Sequence, residues 1–236
     1  MDLQKISEET RSILITVLAA IPKFKADVSS IHDLDEMEPL DPKFCPGFKD
    51  GARIRVLDID TFDAARMLQD YTVSTHLDKW LGGAKDRIQP ALKDSERPVV
   101  VLNLASEYEP GGGWTRGALA QEECLCYRSS LYLSLHKEYY PLPSLSAIYS
   151  PNVVLIRDSM ANGHALLPDE PEDLPALSVI SVAALRTPEL TDDRKTFKNP
   201  GARATTKSKI RVALRVAAMQ GHTKLVLGAL GCGVFQ

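Results

Sequence analysis

The 236-residue chain is 44% hydrophobic and 25% charged, with a net charge of −3, an ordinary composition for one large globular domain with a substantial core. The near-neutral balance excludes a global basic field that would draw the whole protein onto nucleic acid or anionic lipid, so a polyanion site must be local. The four cysteines, Cys45, Cys124, Cys126 and Cys232, make no C-x-x-C pair and no zinc-like spacing with the five scattered histidines, which points to a reduced intracellular protein without a metal centre.

In chain order, Ile6, Ile13, Leu14, Val17 and Ile21 recur at helical spacing, predicting an amphipathic opening helix capped by Ser7 and stopped by Pro22. Its apolar run from Ile13 to Ile21 is far short of the ~20 residues that span a bilayer. Glu8 and Glu9 precede that run where a signal peptide carries basic residues, so no targeting or membrane segment is expected. Pro22 to Gly51 lacks periodicity and reads as a surface wrap. Residues 1–52 thus form an expected helical, wrapping segment ahead of a domain over 53–236. Arg53 to Leu57 alternates like a strand, and Asp60 or Thr61 caps a helix through Phe62, Ala65 and Leu68. Asp70 to Arg97 reads as partly helical, broken at Gly82-Gly83, with His76 a packed or surface histidine rather than a ligand.

The apolar run Val99-Val100-Val101-Leu102 predicts a strand that ends in Asn103 and leads to Pro110-Gly111-Gly112-Gly113. Three glycines remove every Cβ, so the backbone can take positive φ and bring its N–H groups close to phosphate oxygens. Gln121-Glu122-Glu123 then opens a helix with Cys124, Tyr127, Leu131 and Leu135 at apolar spacing, expected to run to about Lys137. Acidic residues in a first turn are favoured by the helix dipole alone. Adjacent helical side chains diverge by ~100°, so one glutamate is the chemical candidate and the other an orienter or cap. Cys124 and Cys126 read as packing residues.

Beyond a loop from Pro141 to Ser150, Val153 to Ile156 and Leu177 to Ala183 read as buried strands, separated by an acidic, Pro-rich loop. Arg194, Lys195, Lys198, Arg203, Lys207, Lys209 and Arg211 follow with no acid among them and enter a helix with Ile210, Ala213, Leu214 and Ala217 on one face. That basic run is either a solvated helix face or a polyanion-binding rim. Thr223 to Leu227 is a strand delivering a second glycine-rich loop, Gly228 to Phe235. In open α/β sheets ligands bind beyond the carboxyl ends of strands, so the two glycine loops could face each other across one phosphate-bearing ligand. Neither loop has the Gly-Lys-[Ser/Thr] ending of a P-loop nucleotide hydrolase.

Strands alternating with helices predict a three-layer α/β fold. The pattern Asn103-x-Ala105, Pro110-Gly111-Gly112-Gly113, Gln121-Glu122-Glu123, with Gly228-x-x-Gly231-Cys232-Gly233-Val234-Phe235 at the far end, closely resembles the microbial-type poly(ADP-ribose) glycohydrolases. The resemblance covers the chain from Arg53 onward, and Leu230 stands where relatives commonly have an aromatic residue. It implies a macrodomain-like α/β/α mixed sheet with an extra helical N-terminal region, and hydrolysis of ribose–ribose O-glycosidic bonds of poly(ADP-ribose), reversing ADP-ribosylation in the DNA damage response. It also implies Glu123 as general acid and base, Glu122 and Gln121 orienting ribose hydroxyls, and Asn103 on the terminal ribose. The backbones of Gly111, Gly112, Gly113, Gly231, Cys232, Gly233 and Val234 would hold the diphosphate, and Phe235 would pack on a ribose face. No cofactor and no metal is expected, and the implied partners are poly(ADP-ribose), ADP-ribose and ADP-ribosylated proteins met by a nuclear or cytoplasmic monomer. Relatives continue past the position of Gln236, which predicts a truncated domain end. The competing expectation is a non-catalytic reader that binds ADP-ribose with the same loops.

Overall fold

The sheet forms where the sequence concentrates β-branched and apolar residues. The computed structural model describes residues 2–41, 54–69 and 98–233. Among them, strands β1 (Ser30–Asp33), β2 (Val100–Ala105), β3 (Ser146–Val154), β4 (Ala176–Ala183) and β5 (Leu225–Val226) lie in the order β1-β3-β4-β2-β5. β2 is parallel to β4 and β5, whereas β3 is antiparallel to β4 and β1. The helices are α1 (Leu3–Ala20), α2 (Thr61–Gln69), α3 (Gln121–Arg128) and α4 (Pro200–Met219).

Side chains of the two central strands alternate between two cores, as pleating requires. Val99, Val101, Leu177 and Val179 join Phe62 of α2 and Leu125, Cys126 and Tyr127 of α3. Val100, Leu102, Ile180 and Val182 join Val212, Ala213, Val216 and Ala217 of α4. The result is the expected three-layer α/β/α arrangement around a mixed sheet. No helix among the described residues is long and apolar enough to cross a membrane.

Several expected boundaries move, each for a local reason. The cap of α1 is Asp2, whose carboxylate accepts the Lys5 N–H at 3.3 Å, while Ser7 turns inward and donates to the Gln4 carbonyl at 2.8 Å. The wrapping segment supplies β1, paired with Ser146–Tyr149, because Leu34 buries itself in the α4-side core and its N–H donates to the Leu145 carbonyl at 3.1 Å. Residues on both sides of position 52 therefore share one sheet. The expected strand at Arg53–Leu57 does not form over 54–57, where Ile54 and Val56 are 84% and 93% exposed. The outer edge of β2 is already occupied, by β5 at Val100–Val101 and by a side-chain amide at Leu102–Leu104.

Asp60 caps α2 by accepting the Phe62 and Asp63 N–H groups at 2.8 and 3.2 Å. Helix α3 stops at Arg128, short of Lys137, because Ser129 is extended and its hydroxyl donates to the Leu125 carbonyl and accepts the Leu131 N–H, a side-chain competition that ends helices. Short 3-10 turns follow at Leu131–Leu133 and Lys137–Tyr139. β3 starts at Ser146, inside the expected loop, and carries Pro151 at a bulge between Ser150 and Val153, where a missing N–H is tolerated. The helical reading of 70–97 with His76, as well as Cys45 and Arg53, lies outside the described residues.

Helix α1 is tied to distant parts of the chain. Gln4 Nε2 donates to the Arg116 carbonyl at 3.2 Å and Thr10 Oγ1 to the Tyr127 carbonyl at 2.7 Å. Buried Arg157 donates to Thr10 Oγ1, to Glu9 Oε2 and to the His164 carbonyl at 2.9, 2.6 and 2.9 Å.

Candidate active site

β2 carries Asn103 near its carboxyl end, on the row that faces α3, and the glycine loop folds back from there onto the first turn of that helix. Gly111 and Gly112 adopt φ of +70° and +59°, which costs glycine little. Space is equally restrictive. A Cβ on Gly111 would lie 2.8 Å from Trp114 Cδ1, and one on Gly113 2.7 Å from Ala118 Cβ. One on Gly112 would fall inside contact distance of Glu123 Oε1 and 3.2 Å from Glu122 Oε2. Both carboxylates therefore bracket Gly112. The ~100° divergence separates their Cβ directions only; three side-chain torsions each let the carboxyl groups converge on the loop.

Glu122 is only 3% exposed. Its Oε1 accepts from Asn103 Nδ2 at 3.1 Å and its Oε2 from the Ser106 N–H at 2.6 Å. Burial pushes its pKa from 4.5 to about 8; the Ser106 and Asn103 N–H groups oppose that rise and the neighbouring Glu123 charge adds to it. Asn103 Nδ2 also donates to Ser181 Oγ at 2.9 Å, in register on β4, and Asn103 Oδ1 is buried without a hydrogen-bond partner. Glu123 is 8% exposed and accepts the Gly113 N–H through Oε1 at 2.9 Å.

Three expectations change here. The amides of the first glycine loop are engaged: Gly112 N–H donates to the Glu109 carbonyl at 3.1 Å, Gly113 N–H to Glu123, and the Gly111 amide acts on Glu122. The loop wraps the carboxylates instead of offering an open diphosphate cradle. Gln121 does not project toward a ligand: its Oε1 accepts the Leu104 N–H and its Nε2 donates to the Leu102 carbonyl, both at 2.8 Å, tethering α3 to the edge of β2. Asn103 is fully buried beneath Glu122 and holds it.

The second glycine loop leaves the same sheet edge as the first, since β5 lies beside β2 and parallel to it. It crosses the ends of β2 and β4, where a Cβ on Gly228 would meet Leu104 Cδ1 at 3.4 Å and one on Gly231 would meet Ala184 Cβ at 3.7 Å. Gly231 has φ +85°, a Cβ on Gly233 would meet open space, and Cys232 is exposed. Val234 and Phe235 lie outside the described residues. Arg186, just past β4, places its guanidinium 5.4 Å from the Tyr108 ring of the first loop, a cation–π contact that joins the two loops' surroundings.

Sequence reasoning missed Ser106 and Ser181. Ser181 carried a signal, a polar residue inside an apolar strand; Ser106 acts through its backbone and carried none. Among the described residues, no group of three or more His, Cys, Asp or Glu is arranged to hold a metal ion.

A family model described as microbial-type PARG, catalytic domain, matches residues 24–158 of the chain. The structure is similar to that of a poly(ADP-ribose) glycohydrolase from Thermomonospora curvata bound to the inhibitor ADP-HPD, at 27% identity and TM-score 0.64 over 99% of this chain and 80% of that one. It is also similar to the Deinococcus radiodurans poly(ADP-ribose) glycohydrolase in complex with ADP-ribose, at 31% identity and TM-score 0.53 over 77% of this chain and 64% of that one. No curated protein matches the chain.

Proposed function

Because the chain belongs to the microbial-type PARG catalytic-domain family, we propose that it hydrolyses ribose–ribose O-glycosidic bonds of poly(ADP-ribose) to release ADP-ribose, with Glu123 as general acid and base. The observation that carries this reading is the pair of buried carboxyl groups bracketing Gly112, with Glu122 held neutral to about pH 8.

Cleaving a glycosidic bond takes a proton for the departing oxygen and negative charge beside the oxocarbenium-like carbon that forms. A Glu122 that keeps its proton to about pH 8, with a second carboxyl group beside the same glycine, brings both ingredients to one place. Glu123 lies on the loop side of the pair and protonates the leaving ribose oxygen, then takes the proton of the attacking water. Glu122, fixed from below by Asn103 and Ser106, orients ribose hydroxyls. The diphosphate lies on the second glycine loop, near Gly231 and Gly233. Its negative charge further favours the protonated form of Glu122. The polymer comes from ADP-ribosylated proteins in the nucleus or cytoplasm, and a monomer suffices because both carboxylates and both loops belong to one chain.

Glu123→Gln keeps the shape and removes the proton. Turnover of purified poly(ADP-ribose) should fall by ~10²-fold or more, while calorimetric affinity for ADP-ribose changes little. Retained turnover would overturn the role of Glu123. A wild type that binds ADP-ribose and never cuts the polymer would select the reader.

A further inference from the structure

Charge is segregated along this chain. Residues 194–236 contain nine Lys or Arg and no Asp or Glu, so this segment carries +9 while residues 1–193 carry −12. The fold places much of that positive charge at one location. The chain leaves β4 at its carboxyl end and returns to the start of β5 through α4, so the amino-terminal end of α4 lies at the sheet edge that carries both glycine loops. The buried residues of α4, Lys209, Val212, Ala213, Val216 and Ala217, all lie from its midpoint onward. Residues 200–208 include no buried side chain, and this end of the helix extends past the sheet at the ligand edge.

Arg203, Lys207 and Arg211 follow one another at four-residue spacing, which stacks them on one face. All three are exposed, and none forms an ion pair with a described acid. Lys209 is different: its ammonium turns inward and donates to the Ser144 carbonyl, anchoring the helix to the loop before β3.

We propose that the exposed Arg203–Lys207–Arg211 face of α4 is a track for the poly(ADP-ribose) chain beyond the two units that flank the bond cut at Glu122 and Glu123. The proposal rests on the glycohydrolase reading and adds where the rest of the polymer lies. Each polymer unit carries a diphosphate, so a chain leaving the site meets positive charge at the edge it must cross. The two units of a dimer end before that face. Contacts of this kind release counterions and weaken as salt rises.

The test is Arg203→Gln combined with Lys207→Gln and Arg211→Gln, all compatible with an exposed helix. Binding and cleavage are measured with purified poly(ADP-ribose) dimers and with long chains. Affinity for long chains should fall ~10-fold or more at low salt, and the slope of log affinity against log salt should flatten by about 2, from ~0.7 for each lost contact. Dimer binding and turnover should be unchanged. Equal losses for dimer and long chain, or no loss for either, would overturn the track. So would wild-type binding of single-stranded DNA of equal charge as tight as that of the polymer, with the same loss in the variant. A wild type that cuts neither length would count against the glycohydrolase reading, and the binding measurements would still decide the track.

Discussion

Replacing Glu122 with glutamine tests whether the buried carboxyl group is neutral in the folded protein. The native state keeps a proton that the unfolded chain releases above pH 4.5, and it keeps that proton to about pH 8. Because the folded state binds more protons across this window, wild-type stability is fully present below pH 4.5 and declines as pH rises to about 8. At ~1.4 kcal/mol per pH unit the decline totals roughly 5 kcal/mol. The side chain introduced by Glu122→Gln does not titrate, so the variant's profile lacks this slope. Its amide must, however, face one of the donors that now serve Glu122, Asn103 Nδ2 or the Ser106 N–H, at a cost of about 1–3 kcal/mol at every pH. The variant should therefore be less stable than wild type at pH 4.5, equal at a crossing between about pH 5 and 6.6, and more stable at pH 8. Urea midpoints at half-unit steps measure the crossing. Parallel profiles for the two proteins would refute the argument, because they would mean that Glu122 is ionised in the folded state.

Gly112→Ala should cost only about 1–2 kcal/mol for a side chain at positive φ, read as a drop of a few degrees in Tm. Turnover should fall far more, because the methyl group lies inside contact distance of Glu123 Oε1 and pushes it aside; unaltered kcat would show that the carboxylate does not work from this position. Arg128 is buried, donates to Asp60 and, at 2.7 Å, to Asp63, and joins α3 to α2. Arg128→Met should lower unfolding stability by roughly 3 kcal/mol, and a cycle with Asp63→Asn should show coupling above ~0.5 kcal/mol. Additive losses would show that this ion pair contributes nothing of its own.

The alternation of Val99, Val101 and Leu177, Val179 was visible as strands buried on two sides, and the acidic helix start after three glycines was visible as a site. What could not be read was direction. Asn103 and Ser181 each stand in a row facing α3, but only the β2–β4 register makes them neighbours. The glycines suggested free amides, whereas the fold turns those amides onto the glutamates they accompany. Gln121 looked like a ligand residue by its place in the motif, yet β5 ends at Val226 and leaves the edge of β2 at Leu102–Leu104 for its amide to fill. β1 gave no signal because four residues at an edge need little apolar pattern of their own; strand β3 supplies the template.

The anchors of α1 also set an order of events during synthesis. Its partners Arg116, Tyr127 and Arg157 lie 112, 117 and up to 148 residues further along the chain. At ~5–20 residues per second, a ribosome needs roughly 7–30 seconds to make the last of them. Throughout that interval Leu14 lacks the strand residues Val154 and Ile156 against which it is finally buried. The segment translated before the rest of the domain is thus seated late. Until it is, the carbonyl of Arg116, three residues past the last loop glycine, lacks the side-chain amide that braces it.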